Sequence, residues 1–555
     1  MNEGRPSRRP SRLRAPAIAL ALAVAVAPLF VHFAAQRGIA SIGDDSVAYL
    51  VLARFFAGEA GPHIAPWVAY STSFPPLFPL ALAAVGGGTN LLAAHLLVAA
   101  FSVAAVVAFQ RYARLRLGSE AAALLVTLVF LLAPSAWVSA KGILSEPMYL
   151  LVSLVALHVH ARFLEPRREV PAAAWLGFGV LLAAALLTRA AGIALVAAFV
   201  AHASWRAVRG PAPRTWRPIL ALLPVALFAF AWIVVRPTPG ADSYHETAGA
   251  LIHAWLADPG LLLRLAPRFF FGGWVSSFTA DPDAPLAFAA VFGVLGLAGL
   301  GGAVRAARAH RLDGWYVIAT AALVFLWVFR EENARRLLYP ILPLLLLHAA
   351  ELALAAARRF ASAARAPWIA GCALAPAALL CVPALVLVQQ KSFDRAPRDA
   401  AGRHAYADIT EYYSTLNVQR ARAVAGMHLA TLAGFDAIAR HTPPDARVMW
   451  MRPEYVAVLG GRAAAAFDYG WSERRVAEEI RRTGTGYLVL SRLYKTDLAG
   501  RTGDPAVTLA GVRGYADPVY AIPNPAVGGD EFVLLKVDPE RLERFLGRAA
   551  AAQRP

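Results

Sequence analysis

The chain has 555 residues, 58% of them hydrophobic and only 16% charged, with a mean hydropathy of +0.51. An ordinary soluble domain is about half apolar and about a quarter charged, so the composition excludes a soluble globular protein and indicates a polytopic membrane protein. The formal charge of +18 would suit nucleic acid, but the arginines stand in short clusters between apolar runs rather than on one face, which is the positive-inside pattern and argues against a nucleic-acid partner.

Residues 1–14, MNEGRPSRRPSRLR, form a basic segment expected in the cytoplasm, and the apolar run behind it is long enough to span as an uncleaved first helix. Cutting the chain at charges and at Pro/Gly predicts about eleven spans: 15–35, 90–109, 119–137, 145–163, 172–187, 190–205, 218–236, 286–304, 314–330, 336–357 and 367–389. The pair 172–187 and 190–205 is short enough for either member to cross only halfway. With the N-terminus inside, the loops RYARLRLG, RFLEPRREVP, HASWRAVRGPAPRTWRP, RAARAHRLDG and ARRFASAARAPW all fall on the cytoplasmic side, and all are rich in arginine. The opposite face then holds 36–89, the links near 138–145 and 188–190, the segment 237–285, the stretch REENARR, and everything after 390. An odd span count exports the C-terminus.

Cys372 and Cys381 share one apolar run and read as packed small residues, with neither a disulfide nor a metal site. His158, His202 and His348 lie in or near spans and read as packed or edge histidines. Beyond 390 the hydropathy drops. ARVMWMRPEYVAVLGGRAAAAF reads as strand, turn, strand; ERRVAEEIRRTG has helical spacing; TGYLVLSRLY and EFVLLKVD read as short buried strands. The segment 390–555 is therefore expected to be a small α/β domain outside the membrane. Asp468, Tyr469 and Trp471 suit either a sugar-stacking patch or an aromatic core.

The chemistry gathers on the expected outer face. Asp45, Tyr49 and Ala53 are spaced by four and share one helix face, with Asp44 alongside; a carboxylate at a membrane edge is a functional candidate, although Asp44 also suits a helix cap. YSTSFPPLFPL has Pro75, Pro76 and Pro79 to fix a rigid turn. KGILSEPMYL places Glu146 at the start of a span just after Lys141, one of only four lysines, and REENARRLLYPILP stacks Arg330, Arg335 and Arg336 at the start of another. Arginines at a bilayer surface suit a phosphate head group, and a carboxylate suits general-base activation of a hydroxyl. A phosphate-linked sugar lipid attacked by an acceptor hydroxyl needs both; lone arginines would also snorkel to lipid head groups.

Taken in order, DDSVAYLVLAR, PPLFPL, LSEPMYL, LLTRAAGIAL and RRLLYPILPLLLL resemble the GT-C superfamily of integral membrane glycosyltransferases, and within it the bacterial proteins similar to protein O-mannosyltransferases, lipid A aminoarabinose transferases and rhizobial core-sugar transferases. The likeness runs over residues 10–390. It implies a GT-C-like transmembrane catalytic domain over 15–389, including the outer loop 36–89, with the C-terminal domain over the catalytic cavity. It also implies a base at Asp45 or, because the acidic pair is shifted by one position, at Asp44. Glu146 would orient the acceptor or the sugar. Arg335 or Arg336, with Tyr339, would bind the donor phosphate, and Lys141 and Arg189 are further candidates for the same phosphate. The implied reaction is one inverting displacement in the bacterial inner membrane, from a polyprenyl-phosphate-linked sugar to a lipid, glycan or protein hydroxyl. No Asp-x-Asp signature is present in the first outer loop, so no divalent metal is expected to be required. Gly-rich phosphate loops and Cys/His zinc spacings are absent from the sequence. A transporter or flippase of lipid-linked saccharides is the alternative, but it would place ionisable residues at mid-membrane. A ligand sensor would need a cytoplasmic output domain.

Overall fold

The computed structural model describes residues 14–34, 45–165, 170–209, 216–236, 253, 256–279, 285–326, 331–362, 365–393, 418–467, 471–491, 509–523 and 529–551. Asp44, Arg330, Asp468 and Tyr469 lie outside the described residues. Each of the eleven expected spans overlaps helix, but 119–137 divides at Ala133 into two helices, 336–357 contains a 3-10 turn at Tyr339–Ile341, and 327–330 lie outside the described residues. In chain order the helices are α1 (Arg14–Ala34), α2 (Ser46–Phe56), α3 (Ala65–Ser71), α4 (Leu77–Ala84), α5 (Leu91–Leu117), α6 (Glu120–Leu132), α7 (Pro134–Val138), α8 (Glu146–Val159), α9 (Ala172–Thr188), α10 (Ile193–Arg209) and α11 (Leu222–Val235). They continue with α12 (Pro259–Thr279), α13 (Leu286–Arg308), α14 (Leu312–Leu326), α15 (Glu331–Leu338), α16 (Leu342–Phe360) and α17 (Ala366–Phe393). Six helical stretches among the described residues are long and apolar enough to cross a membrane: Leu91–Leu117, Glu146–Leu164, Ala190–Arg209, Arg217–Val235, Leu286–Arg308 and Ala334–Phe360.

Local chemistry sets the helix ends. Asn90 caps α5 by accepting from the Ala93 N–H at 3.1 Å, and Gly118 closes it with a left-handed φ of 66° that a side chain would resist. Arginine occupies the last turns of α5, α10, α13 and α16, so those four helices end in positive charge. Two close approaches tie the bundle together. An added Cβ at Gly299 would lie 2.7 Å from the Leu345 carbonyl, and one at Gly302 would lie 2.5 Å from that of His348. The backbones of α13 and α16 therefore touch, as small residues allow in membrane bundles. Aromatic pairs fill the remaining core: Phe30 stacks on Trp137 and Phe278 on Phe292, each pair with ring centroids 4.5 Å apart.

Two segments differ from expectation. The segment 237–285 contains α12, whose Phe270, Trp274, Val275 and Phe278 belong to the bundle core; Arg264, Pro267 and Arg268 interrupt its apolar run, so the hydropathy pattern hides it. Near residue 447 both expected strands form, but a helix stands where a turn was expected. β1 (Arg447–Met449) and β2 (Ala463–Ala465) are parallel, with helix α19 (Pro453–Leu459) crossing between them, because parallel neighbours need a crossover that a tight turn cannot supply. The rest of this region matches the α/β pattern. Helix α18 (Val418–His441) precedes β1, and α20 (Glu473–Thr483), β3 (Tyr487–Ser491), α21 (Leu509–Val512), β4 (Ala516–Pro523), β5 (Asp530–Val537) and α22 (Pro539–Ala551) follow β2. The sheet order is β2-β1-β3-β5-β4, parallel at β2-β1-β3 and antiparallel from β3 to β4.

This sheet domain shares one apolar core with α2–α4: Val47, Leu50, Ile64 and Phe78 cluster with Phe435, Trp450, Tyr455 and Leu534. The helix that begins at Asp45 is thus wedged between bundle and sheet. The contact of α13 with α16 is directly testable. Gly302→Val is expected to destabilise the full chain by about 1–3 kcal/mol or more through forced overpacking, measured by unfolding in detergent, whereas Gly301→Ala, whose Cβ meets nothing within 4 Å, is expected to leave stability unchanged.

Candidate active site

Four helix ends converge on one cluster. Asp45 is the N-cap residue of α2, yet its side chain makes no capping bond. Glu146 opens α8, with Pro147 fixing the first turn. Arg189 follows α9 in an extended conformation, φ −155° and ψ 138°, and the chain then doubles back into α10 at Gly192, where an added Cβ would strike the Ala185 and Leu186 backbone. That sharp return sends Arg189 toward Glu146. Arg336 stands in the last turn of α15, just before Tyr339–Ile341 lead into α16.

The centre of the cluster is one guanidinium on two carboxylates. Arg336 Nη2 lies 2.9 Å from Asp45 Oδ2 and 2.7 Å from Glu146 Oε1, and Arg336 Nε donates to the same Glu146 oxygen at 2.8 Å. Arg189 Nη1 approaches Glu146 Oε1 at 2.8 Å. Glu146 is 1% exposed, whereas Asp45 and Arg336 are 28% and 25% exposed. The buried carboxylate therefore anchors two cations and the accessible one shares a single cation. Glu146 Oε2 accepts no hydrogen bond from a described residue.

Beside the ion pairs runs a hydroxyl chain. Tyr49 OH and Ser145 Oγ are 2.8 Å apart, and Arg189 Nη1 donates to Ser145 Oγ at 3.3 Å. Ser145 holds the N-cap position of α8 but makes no cap bond, because its hydroxyl faces these partners instead. The Tyr49 ring is held edge-on by Phe74 and Phe78, at 5.2 and 5.0 Å. Further along α8, Tyr316 donates to Tyr149 OH at 2.9 Å, and Tyr149 donates to the Ala191 carbonyl at 3.1 Å.

Asp45, Glu146, Arg189 and Arg336 are thus brought together from four separate stretches. Asp44 lies outside the described residues. Arg335 is buried where α15 packs on α12, its backbone close to Gly273. Tyr339 is buried against Phe130, at 6.3 Å, and lies within electrostatic reach of Glu146. Lys141 is buried in the turn before α8. Ser145 escaped the sequence reading, although it stands in the quoted LSEP; its role depends on Tyr49, 96 residues away. In the sheet domain, Trp471 carries the Arg475 guanidinium 4.5 Å above its ring, an intramolecular partner for its face.

No protein-family model and no curated protein sequence matches the chain. Solved structures do match. The chain aligns with ArnT from Cupriavidus metallidurans in the apo state over 94% of its own length and 98% of that protein's, at 16% identity and a TM-score of 0.51. ArnT bound to undecaprenyl phosphate aligns equally well, with a TM-score of 0.51 and 16% identity over 93% and 97% of the two chains. The oligosaccharyltransferase AglB from Archaeoglobus fulgidus, in complex with an inhibitory peptide and a dolichol-phosphate, matches over 93% of this chain and 74% of its own, at 12% identity and a TM-score of 0.52. The chain shares its fold with ArnT and AglB, and at these identities the likeness is one of fold alone.

The ion-pair geometry predicts an asymmetry between the two carboxylates. Glu146→Gln leaves two cations facing a neutral amide and is expected to cost about 3 kcal/mol or more, whereas Asp45→Asn breaks a partly exposed pair and is expected to cost about 1 kcal/mol or less. Denaturant unfolding of the two variants in one detergent measures this, and the reverse order would contradict the assigned burial.

Proposed function

We propose that the chain is a glycosyltransferase that moves a sugar from a polyprenyl-phosphate donor to a hydroxyl of a lipid, glycan or protein at the outer face of a bacterial inner membrane. The observation that carries this reading is Arg336, bonded at once to the accessible Asp45 and the buried Glu146. The cluster lies at the start of α16, whose far end carries Arg358 and Arg359; the positive-inside rule supports a location at the outer face, with residues 1–14 proposed to be cytoplasmic and 390–555 extracytoplasmic. The fold shared with proteins bound to undecaprenyl phosphate and dolichol-phosphate supports the donor class.

In the proposed reaction the acceptor hydroxyl gives its proton to the Asp45 carboxylate while its oxygen attacks the anomeric carbon. The bond from that carbon to the phosphate oxygen breaks on the far side, so configuration inverts, and polyprenyl phosphate leaves with the electron pair. Arg336 is the group proposed to meet the phosphate, because it is the partly exposed cation of the cluster. Arg189 stays on Glu146 and holds it in place. Glu146 is proposed to orient the acceptor or the sugar through the arginines it anchors, since its own side chain is shut off from solvent. Arg335, Lys141 and Tyr339 are buried around the cluster and are proposed to supply field and shape at the phosphate. A guanidinium already joins the two carboxylates, so the reading calls for no divalent metal.

Membranes carrying the wild type are expected to release polyprenyl phosphate from one member of a panel of radiolabelled polyprenyl-phosphate sugars, and Asp45→Asn is expected to lose about 100-fold or more, the scale of a general base. Loss in Asp44→Asn alone would move the base by one position. Label that crosses the bilayer without donor cleavage would replace the transferase by a transporter.

A further inference from the structure

The opposite end of the bundle carries a second charged assembly that sugar transfer does not use. Glu351 and Arg358 lie 15 and 22 residues beyond Arg336, on a path that runs down α16; at 1.5 Å per residue, Arg358 is roughly 30 Å from the carboxylate site. At this end Asp313, fully buried at the start of α14, takes Arg311 Nη2 at 2.6 Å and Arg116 Nε at 3.5 Å on one oxygen. Arg311 also reaches Glu351 at 2.9 Å, and Arg116 reaches Glu165 at 3.1 Å. Two guanidinium groups are thereby fixed in position by a carboxylate that has no access to solvent.

Next to them opens a cavity of about 230 Å³ between α5, α13 and α16. Arg116, Arg305, Arg311 and Arg358 line it against a single carboxylate, Glu351. Its volume is that of several water molecules at about 30 Å³ each. Arg305 and Arg358 are exposed and make no hydrogen bond or ion pair with any described residue. Ordinary snorkelling sends single arginines outward to separate head groups; it requires neither a concave wall nor guanidinium groups pinned from behind. Gly302, where the backbones of α13 and α16 touch, also lines the cavity, to which α13 contributes Arg305 and α16 contributes Arg358.

We infer that this pocket binds a phosphate-bearing anion, clasped by Arg305 and Arg358 with Arg116 and Arg311 as its fixed positive wall. The phosphodiester head group of an anionic membrane lipid and free phosphate share this chemistry, and basic pockets between membrane helices suit the former.

The test is thermal unfolding of the purified full chain in neutral detergent, titrated separately with phosphatidylglycerol, phosphatidylcholine and inorganic phosphate. Phosphatidylglycerol is expected to stabilise the wild type saturably, and phosphatidylcholine is not. In the double variant Arg305→Gln/Arg358→Gln the apparent affinity is expected to fall about tenfold or more, on the basis of about 1 kcal/mol per basic residue near an anionic lipid. Arg308→Gln/Arg359→Gln removes the same charge outside the pocket and is expected to bind as the wild type does, and Arg305→Lys/Arg358→Lys is expected to retain most of the binding. Equal stabilisation by inorganic phosphate would uphold the pocket and make a free anion its occupant. Unchanged binding in Arg305→Gln/Arg358→Gln, equal loss in the Arg308/Arg359 pair, or no preference for either anion over phosphatidylcholine would overturn it. None of these readouts involves sugar transfer, so this inference and the proposed reaction fail independently.

Discussion

The contact on which the rest of the site depends is the Arg336 guanidinium between Asp45 and Glu146, at 2.9 and 2.7 Å. A carboxylate at the edge of a bilayer is costly alone and tolerable when paired, and this pairing draws α2, α8 and α15 to one point. The carboxylates differ because their burial differs. Glu146 is shut inside with two arginines, while Asp45 shares one arginine and remains partly open. In the proposed reaction an anionic donor arriving at Arg336 would compete with Asp45 for the same guanidinium, so that phosphate binding and release of the carboxylate would be coupled.

Holding this geometry requires the surrounding frame. The extended Arg189 and the return at Gly192 point one cation inward, Pro147 fixes the first turn of α8, and the Ser145 hydroxyl ties the start of that helix to Tyr49 and Arg189. On the other side, α2 is pressed between the bundle and the sheet domain, whose Trp450 and Tyr455 belong to the same apolar core as Leu50 and Phe78. A change at that interface would move Asp45 without touching any ion pair, and a shift on the order of 1 Å at a reacting group is costly for catalysis.

Much of this was legible in the chain. Long apolar runs marked the spans, and charges at the rims marked Asp45, Glu146 and Arg336, because hydropathy and position along a helix are local properties. What escaped was long-range or masked by composition. That Arg189 pairs with Glu146 could not be read from the chain, because the two residues lie 43 positions apart and no spacing rule encodes the contact. Arg335 and Arg336 were indistinguishable in sequence; helical phase turns one into the contact with α12 and the other onto the carboxylates. Helix α12 was hidden by Arg264, Pro267 and Arg268, and the segment that read as strand, turn, strand carries a helix between β1 and β2. The buried Asp313 cluster stood in a loop that looked merely cytoplasmic and basic, its partners Arg116 and Glu351 lying far away in the chain.

The claim that Arg336 and Asp45 act as one unit is tested most directly by a double-mutant cycle on donor cleavage, with Asp45→Asn, Arg336→Gln and the pair assayed at equal protein levels and saturating donor. Residues that work as a unit lose activity non-additively. The double variant is expected to be no worse than the poorer single variant; losses that multiply would show that the two side chains contribute separately and would contradict the shared centre described here.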